Sequence, residues 1–197
     1  NAVGVQLVDV NNDNLLDIVI VNYWLDKDLA NTIPLSPNLA SSRLKQPGGQ
    51  SSLFLNKGNR KFEKTSLLDV LAPNYSNNAG IADINNDGYL DIFIANDYAY
   101  DRLLINHGGK FFTEETKDYM PFAFHGLNGM NADFADFDQD GDLDLYVGNI
   151  SDPPFISYNN ILWERTGEKT FVDTSRDRGV ALCGWSWSAK WADFDND

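Results

Sequence analysis

Residues Ile81–Asn96 read IADINNDGYLDIFIAN, an acidic turn set between two apolar runs. Asp83, Asn85 and Asp87 alternate with other residues, Gly88 follows, and Asp91 opens the run IFIA. Counted from Asp83, oxygen-bearing side chains stand at positions 1, 3, 5 and 9, and a tightly turning backbone makes alternate side chains converge. The same register returns at Leu7–Asn22 (LVDVNNDNLLDIVIVN) and Phe134–Asn149 (FADFDQDGDLDLYVGN), and begins again at Trp191–Asp197 (WADFDND). The leading residues Asp9, Asp83, Asp136 and Asp193 are spaced by 74, 53 and 57 residues. Recurrence at such a period marks a chain built from stacked copies of one supersecondary unit.

Each complete turn is followed by a second element: SSLFLNKGNRKFEKTS from Ser51, DRLLINHGGKFFTEET from Asp101 and NNILWERTGEKTFVDTS from Asn159. These read as strand, Gly-containing turn and strand, with β-branched and aromatic residues in the strands. In the first unit, strands are expected at Val3–Val8, Leu16–Val21, Ser52–Leu55 and Lys61–Lys64, the last two joined around Lys57-Gly58-Asn59. Four antiparallel strands in roughly 50–60 residues make a propeller blade. The expected fold is therefore all-β: three complete blades at about 1–70, 78–118 and 128–175, and the start of a fourth at 184–197. The long first spacing leaves room for a Pro-, Gly-, Asn- and Ser-rich surface insertion over 25–50. No stretch keeps a 3.6-residue period, which excludes helical solenoids.

The charge balance agrees with this division. A formal net charge of −14 argues against nucleic acid and against an anionic membrane surface, and no apolar run reaches membrane-spanning length. Nearly half of the 29 acidic residues lie inside the four turns, so the acidity belongs to local sites rather than to a solvated surface. Cys183 is the single cysteine, so an internal disulfide or a thiolate metal cluster is ruled out. It reads as a small buried apolar residue beside Trp185.

The turns have the chemistry of a calcium loop. Calcium is a hard cation that takes about 6–8 oxygen ligands. The ligands expected in the first loop are Asp9, Asn11, Asp13 and Asp17, with the carbonyl of Leu15. In the second they are Asp83, Asn85, Asp87 and Asp91, with the carbonyl of Tyr89. In the third they are Asp136, Asp138, Asp140 and Asp144, with the carbonyl of Asp142. Position 7 carries three unrelated side chains, as suits a backbone ligand. Position 6 needs a left-handed backbone, which Gly88 and Gly141 supply and Asn14 tolerates. Asp193, Asp195 and Asp197 would open a fourth site. An EF-hand is excluded because its position 12 needs a bidentate Glu, where this chain has Ile20, Ile94 and Val147 in strands. Dockerin-like loops fail for the same reason, and magnesium prefers fewer protein ligands.

These loops resemble FG-GAP or VCBS repeats, as in the integrin α-subunit propeller and many bacterial secreted proteins. The segments IVIVNYW, SLFLNKGNRKFEKTS, IANDYAYDRLLINHGGKFF, GMNADFADFDQDGDLDLYVGNISDP and GWSWSAKWADFDND resemble more closely the cartilage acidic protein family, whose bacterial members often carry an ASPIC/UnbV domain. The likeness spans nearly the whole chain. Two departures matter: the insertion lacks the cysteines often seen there, and the literal Phe-Gly/Gly-Ala-Pro pair is absent, so integrin-style ligand recognition is not carried over. The resemblance implies a ring of about seven blades, with the remaining ones expected from the same polypeptide or an adjacent chain.

For function, the expected reading is a calcium-stabilised extracellular, cell-surface or periplasmic propeller, acting as a non-catalytic protein-interaction or scaffold module. Trp24 and the 25–50 insertion are its best surface candidates. A carbohydrate-binding propeller for a cell-surface glycan is the alternative, on Tyr23, Trp24, Tyr98 and Tyr100 at strand ends. A secreted lyase or dehydratase is the second alternative, with only His107 and His125 as histidine bases and no nucleophile beside either. Trp185, Trp187 and Trp191 alternate as in a half-buried strand, Trp185–Phe194, and read as core and inter-blade packing. The third loop offers four ligand carboxylates where the others offer three and an Asn. It should therefore release calcium last, and a chelator titration that emptied it first would contradict the charge argument.

Overall fold

The acidic turns and the hairpins behind them fold into three separate four-stranded antiparallel sheets. The computed structural model describes residues 2–23, 48–121, 128–152, 156–157 and 159–195, so most of the expected insertion, with Trp24, and His125 lie outside the described residues. The first sheet runs β1 (Ala2–Val8), β2 (Asp17–Asn22), β3 (Ser52–Asn56) and β4 (Phe62–Thr65). The second runs β5 (Tyr75–Ala82), β6 (Asp91–Asp97), β7 (Arg102–Asn106) and β8 (Phe112–Glu114), followed by a single helical turn, α1 (Thr116–Tyr119). The third comprises β9 (Gly129–Ala135) and β10 (Asp144–Asn149), then β13 (Ile161–Gly167) and β14 (Thr170–Asp173); a short ribbon, β11 (Ser151–Asp152) with β12 (Ile156–Ser157), lies between them in sequence.

Each sheet is a propeller blade. Within it the strands neighbour one another in chain order, and between sheets the first strands lie together: β5 rests against β1 and β2, and β9 against β5 and β6. Register is the same in all three. The residue before the acidic turn pairs with the aspartate that ends it: Val8 with Asp17, Ala82 with Asp91, Ala135 with Asp144. At the other end of this ladder each blade carries an irregularity, between Ala2 and Gly4, Ser76 and Asn78, and Gly148 and Asn149. A bulge adds twist, which a blade needs if its inner strand is to run beside the axis while the outer one splays away.

The core lies between blades. β6 separates two apolar layers, and the two-residue period of a strand divides its side chains between them. Ile92 and Ile94, with Ala79, Leu104 and Phe112, meet Val8, Val10, Val19, Val21 and Leu53 of the first blade. Phe93 and Ala95, with Leu103 and Ile105, meet Leu145, Val147, Trp163 and Phe171 of the third. β6 is consequently buried along its whole length, whereas β2 alternates between buried and half-buried. Gly80 permits the close approach of blades two and three, since a Cβ there would lie 3.0 Å from the Phe134 ring. On the outer side of the first blade, Val3, Val5 and Leu7 of β1 are 54–64% exposed.

The end opposite the acidic turns has its own repeated clamp. Asn22, Asn96 and Asn149, in the last two residues of β2, β6 and β10, donate their amides to the carbonyls of Gln50, Tyr100 and Asn159 at 2.7, 3.0 and 2.9 Å. This ties the second strand of each blade to the start of the third.

The C-terminal stretch departs from expectation. Trp185–Phe194 forms no strand, because its backbone donors go to acceptors on the third blade instead of to a ladder. The N–H of Ala189 donates to Asn131 Oδ1 and that of Trp191 to Asp133 Oδ2, at 3.1 and 2.9 Å. Only Trp191 of the three tryptophans packs as expected, stacked on Phe137 and edge-on to Tyr146. Trp185 and Trp187 are exposed, resting on each other. Cys183 is also exposed, with its thiol directed at the Val180 carbonyl.

The packing predicts a sharp contrast between two apolar substitutions. Phe93→Ala opens a cavity in a layer closed on both sides and should cost about 3–5 kcal/mol in urea unfolding. Val5→Ala, at an exposed position, should cost under about 0.5 kcal/mol.

Candidate metal centre

The three acidic turns follow one backbone path, and side-chain oxygens define it. The position-1 aspartate accepts from the N–H groups of positions 5 and 6: Asp9 from Asp13 and Asn14, Asp83 from Asp87 and Gly88, Asp136 from Asp140 and Gly141, all at 2.7–3.1 Å. The position-5 aspartate accepts from position 7, with Leu15, Tyr89 and Asp142 donating to Asp13, Asp87 and Asp140 at 2.9 Å. Position 6 is left-handed as expected, with φ of 66° at Asn14, 87° at Gly88 and 93° at Gly141. Position 4 is left-handed too, at Asn12, Asn86 and Gln139. That second turn was not read from the sequence, although two Asn residues, which tolerate this conformation, signal it.

Position 9 is the buried member. Asp17, Asp91 and Asp144 are at most 1% exposed, and each carboxylate bridges two backbone donors. One oxygen accepts from position 2 of its own turn, that is Val10, Ile84 or Phe137, at 2.8–3.2 Å. The other accepts from the third strand of the blade, that is Asn56, Asn106 or Arg165, at 2.7–2.8 Å. Burial pushes the Asp91 carboxyl up to about 6; its two backbone bonds pull the other way, and Asp87 and Asp83 add to the rise. Asp17 and Asp144 are raised for the same leading reason. Each turn thus concentrates negative charge around a partly desolvated carboxylate, which a bound cation would relieve.

In the third turn, oxygens of Asp136, Asp138 and Asp144 lie within 4.8 Å of one another. Asp140 stands outside that group, held to the Asp142 N–H. The carboxylate of Asp142, whose carbonyl is the expected ligand, instead faces Arg165 Nη1 at 3.5 Å, which leaves the four ligand carboxylates of this turn without an internal counter-ion from that side chain. In the first two turns Asn11 and Asn85 hold position 3, and each accepts from the N–H of position 5 at 3.1 Å. The donor set is oxygen throughout, carboxylate, amide and carbonyl, and suits a hard divalent cation. In the fourth turn, Asp195 donates its N–H to Asp193 at 3.3 Å, while Asp197 lies outside the described residues.

The other candidates are placed differently. His107 sits in the β7–β8 turn, stacked on Phe111 and 2.7 Å from Thr113 Oγ1. At the opposite end of the blades, Tyr23 Oη donates to Asp97 Oδ2 at 2.5 Å, and the rings of Tyr23, Tyr75 and Tyr98 follow one another edge to face. Tyr100 carries the Arg102 guanidinium over its ring.

Sheets of this order, with one acidic turn at the same end of each, define a propeller built from repeated blades. The FG-GAP-like repeat family matches residues 39–94 and 83–147, more than half of the chain, and the protein belongs to that family. Both matched segments contain the second turn and the start of the strand behind it, so the sequence unit is offset from the blade. No curated protein matches the chain. Among the described residues no helix is long and apolar enough to cross a membrane.

The structural part played by position 9 can be separated from any ligand part in calcium-free buffer. Asp91→Ala strands the N–H groups of Ile84 and Asn106 in the interior, against which the relief of a desolvated charge is a partial offset, and should lower unfolding stability by about 2 kcal/mol. Asp87→Ala, in the exposed part of the same turn, should cost about 0.5 kcal/mol. Equal losses in chemical denaturation would refute the distinction.

Proposed function

We propose that this protein is a calcium-stabilised propeller module working outside the cell, where it holds a rigid surface for a protein partner. The observation that carries the reading is the threefold repetition of one loop geometry, each with an all-oxygen donor set, on the same end of three adjoining blades. Calcium would be held in each turn by the side chains at positions 1, 3, 5 and 9 and the carbonyl at position 7, and supplies the positive charge that lets clustered carboxylates pack together. Extracellular calcium, near millimolar, suits exposed loops of this kind. The segment resemblance to the cartilage acidic protein family points to the same setting. No catalytic step is assigned: His107 is engaged with Thr113 and Phe111.

A second reading, sugar binding, has one observation in its favour. Tyr98 is 57% exposed and holds a left-handed φ of 58°, at the end of the blades away from the acidic turns. Such a conformation costs about 1–3 kcal/mol in a bulky residue and is often found where a side chain is presented to a ligand. A glycan array on the whole protein separates the readings: strong binding lost in Tyr98→Ala favours the sugar, and silence favours a protein partner.

The calcium reading is tested by thermal unfolding. For a Kd of ~10 µM, ~1 mM calcium contributes roughly 2.7 kcal/mol per site, so the midpoint should fall by several degrees when EDTA replaces calcium. An unchanged midpoint would remove calcium as a structural element.

A further inference from the structure

One line of hydrogen bonds runs through all three turns. The Asp144 carboxylate accepts from the Arg165 N–H at 2.8 Å, and the guanidinium of Arg165 donates through Nη1 to the Ile84 carbonyl at 2.5 Å. The Ile84 N–H donates to Asp91 at 2.8 Å, and Asp91 in turn accepts from the Asn106 N–H at 2.7 Å. The Asn106 amide donates to the Val10 carbonyl at 2.8 Å, and the Val10 N–H donates to Asp17 at 3.1 Å. Asn106 and Arg165, at equivalent points of the third strands of their blades, therefore each hold their own turn by the backbone and the preceding blade's turn by the side chain.

We infer that the turns do not fill independently: Arg165 couples the second and third, so that calcium in one raises the affinity of the other. This rests on the calcium reading above. The physical ground is the burial of Arg165, 4% exposed, whose guanidinium also donates to the carbonyls of Gly167 and Glu168 at 3.1 and 2.9 Å and faces Asp142. Shifting it would strand several buried acceptors at once, each expensive to leave unpaired, so it has one well-defined place. That place requires the third turn to present Asp142 and Asp144 and the second to present the Ile84 carbonyl. An ion that orders either turn thereby prepays part of the ordering of the other. Arg165 is a positioning residue here and touches no ion itself.

The test reads the second site while the third is damaged. Terbium substitutes for calcium, and its luminescence, sensitised through Tyr89 at position 7 of the second turn, reports that site, with Tyr89→Phe as the blank. Asp138→Ala removes a converging carboxylate from the third turn that makes no hydrogen bond described above. It should weaken terbium at the second site about tenfold, a usual size for coupling between sites. In an Arg165→Met background, which keeps a long side chain but has no N–H to give the Ile84 carbonyl, the effect of Asp138→Ala should shrink below about twofold. A second-site affinity indifferent to Asp138→Ala overturns the coupling without needing any Arg165 variant. A tenfold effect that survives Arg165→Met overturns the assignment to Arg165. Absence of terbium luminescence and of calcium heat in the unmodified protein overturns the calcium reading itself, a result distinguishable from the other two.

Discussion

A carboxylate with almost no access to water, bridging a backbone N–H group of its own turn and one of the third strand, is the constraint on which each blade depends. Asp17, Asp91 and Asp144 stand where the second strand begins, and each fastens the start of its own turn to the third strand. Those N–H groups fall where the antiparallel ladder stops, so no strand can satisfy them. An apolar residue at position 9 would pack as well and leave both donors orphaned. With that carboxylate fixed, the turn between positions 1 and 9 has little choice of path: the Asp, Asn and Gly residues satisfy its remaining donors and supply its two left-handed corners.

Burying that carboxylate has an electrostatic consequence. The group is pushed toward neutrality by desolvation and by its acidic neighbours, and the protein offsets this locally with backbone dipoles. The offset is incomplete in every turn. A cation held by the surrounding oxygens would complete it, so the structural demand and the proposed ligand chemistry arise from the same residues. The side chains of Asn106 and Arg165 carry the demand across blades, since each reaches the carbonyl of position 2 in the neighbouring turn.

The two ends of the blades have separate tasks. One end holds the acidic turns and the short β-hairpins, with regular geometry repeated three times. The other holds the longer connections, the asparagine clamps at Asn22, Asn96 and Asn149, and the buried Asp97 and Asp101, the latter pushed up to about 7 by burial.

The blade, its strand order and the positions of the turn residues were legible in the sequence because each depends on local spacing: alternation within a strand, Gly or Asn at a left-handed corner, Asp at a fixed offset. The expected strand at Trp185–Phe194 failed because a strand is a property of two chains of backbone, and alternation alone does not supply the second. Trp185, Trp187 and Cys183 followed it to the surface for the same reason. Tertiary structure alone decided that position 9 is buried while the side chains at positions 3 and 5 stay near solvent, and that Asn106 and Arg165 perform one task despite unlike chemistry. It also decided which alternate residues of β6 face which neighbour. These facts depend on distances between residues some 80 to 100 apart in the chain, as with Arg165 and Ile84 or Asn106 and Val10, and a repeat read along one sequence gives the period of the blades without the contacts between them.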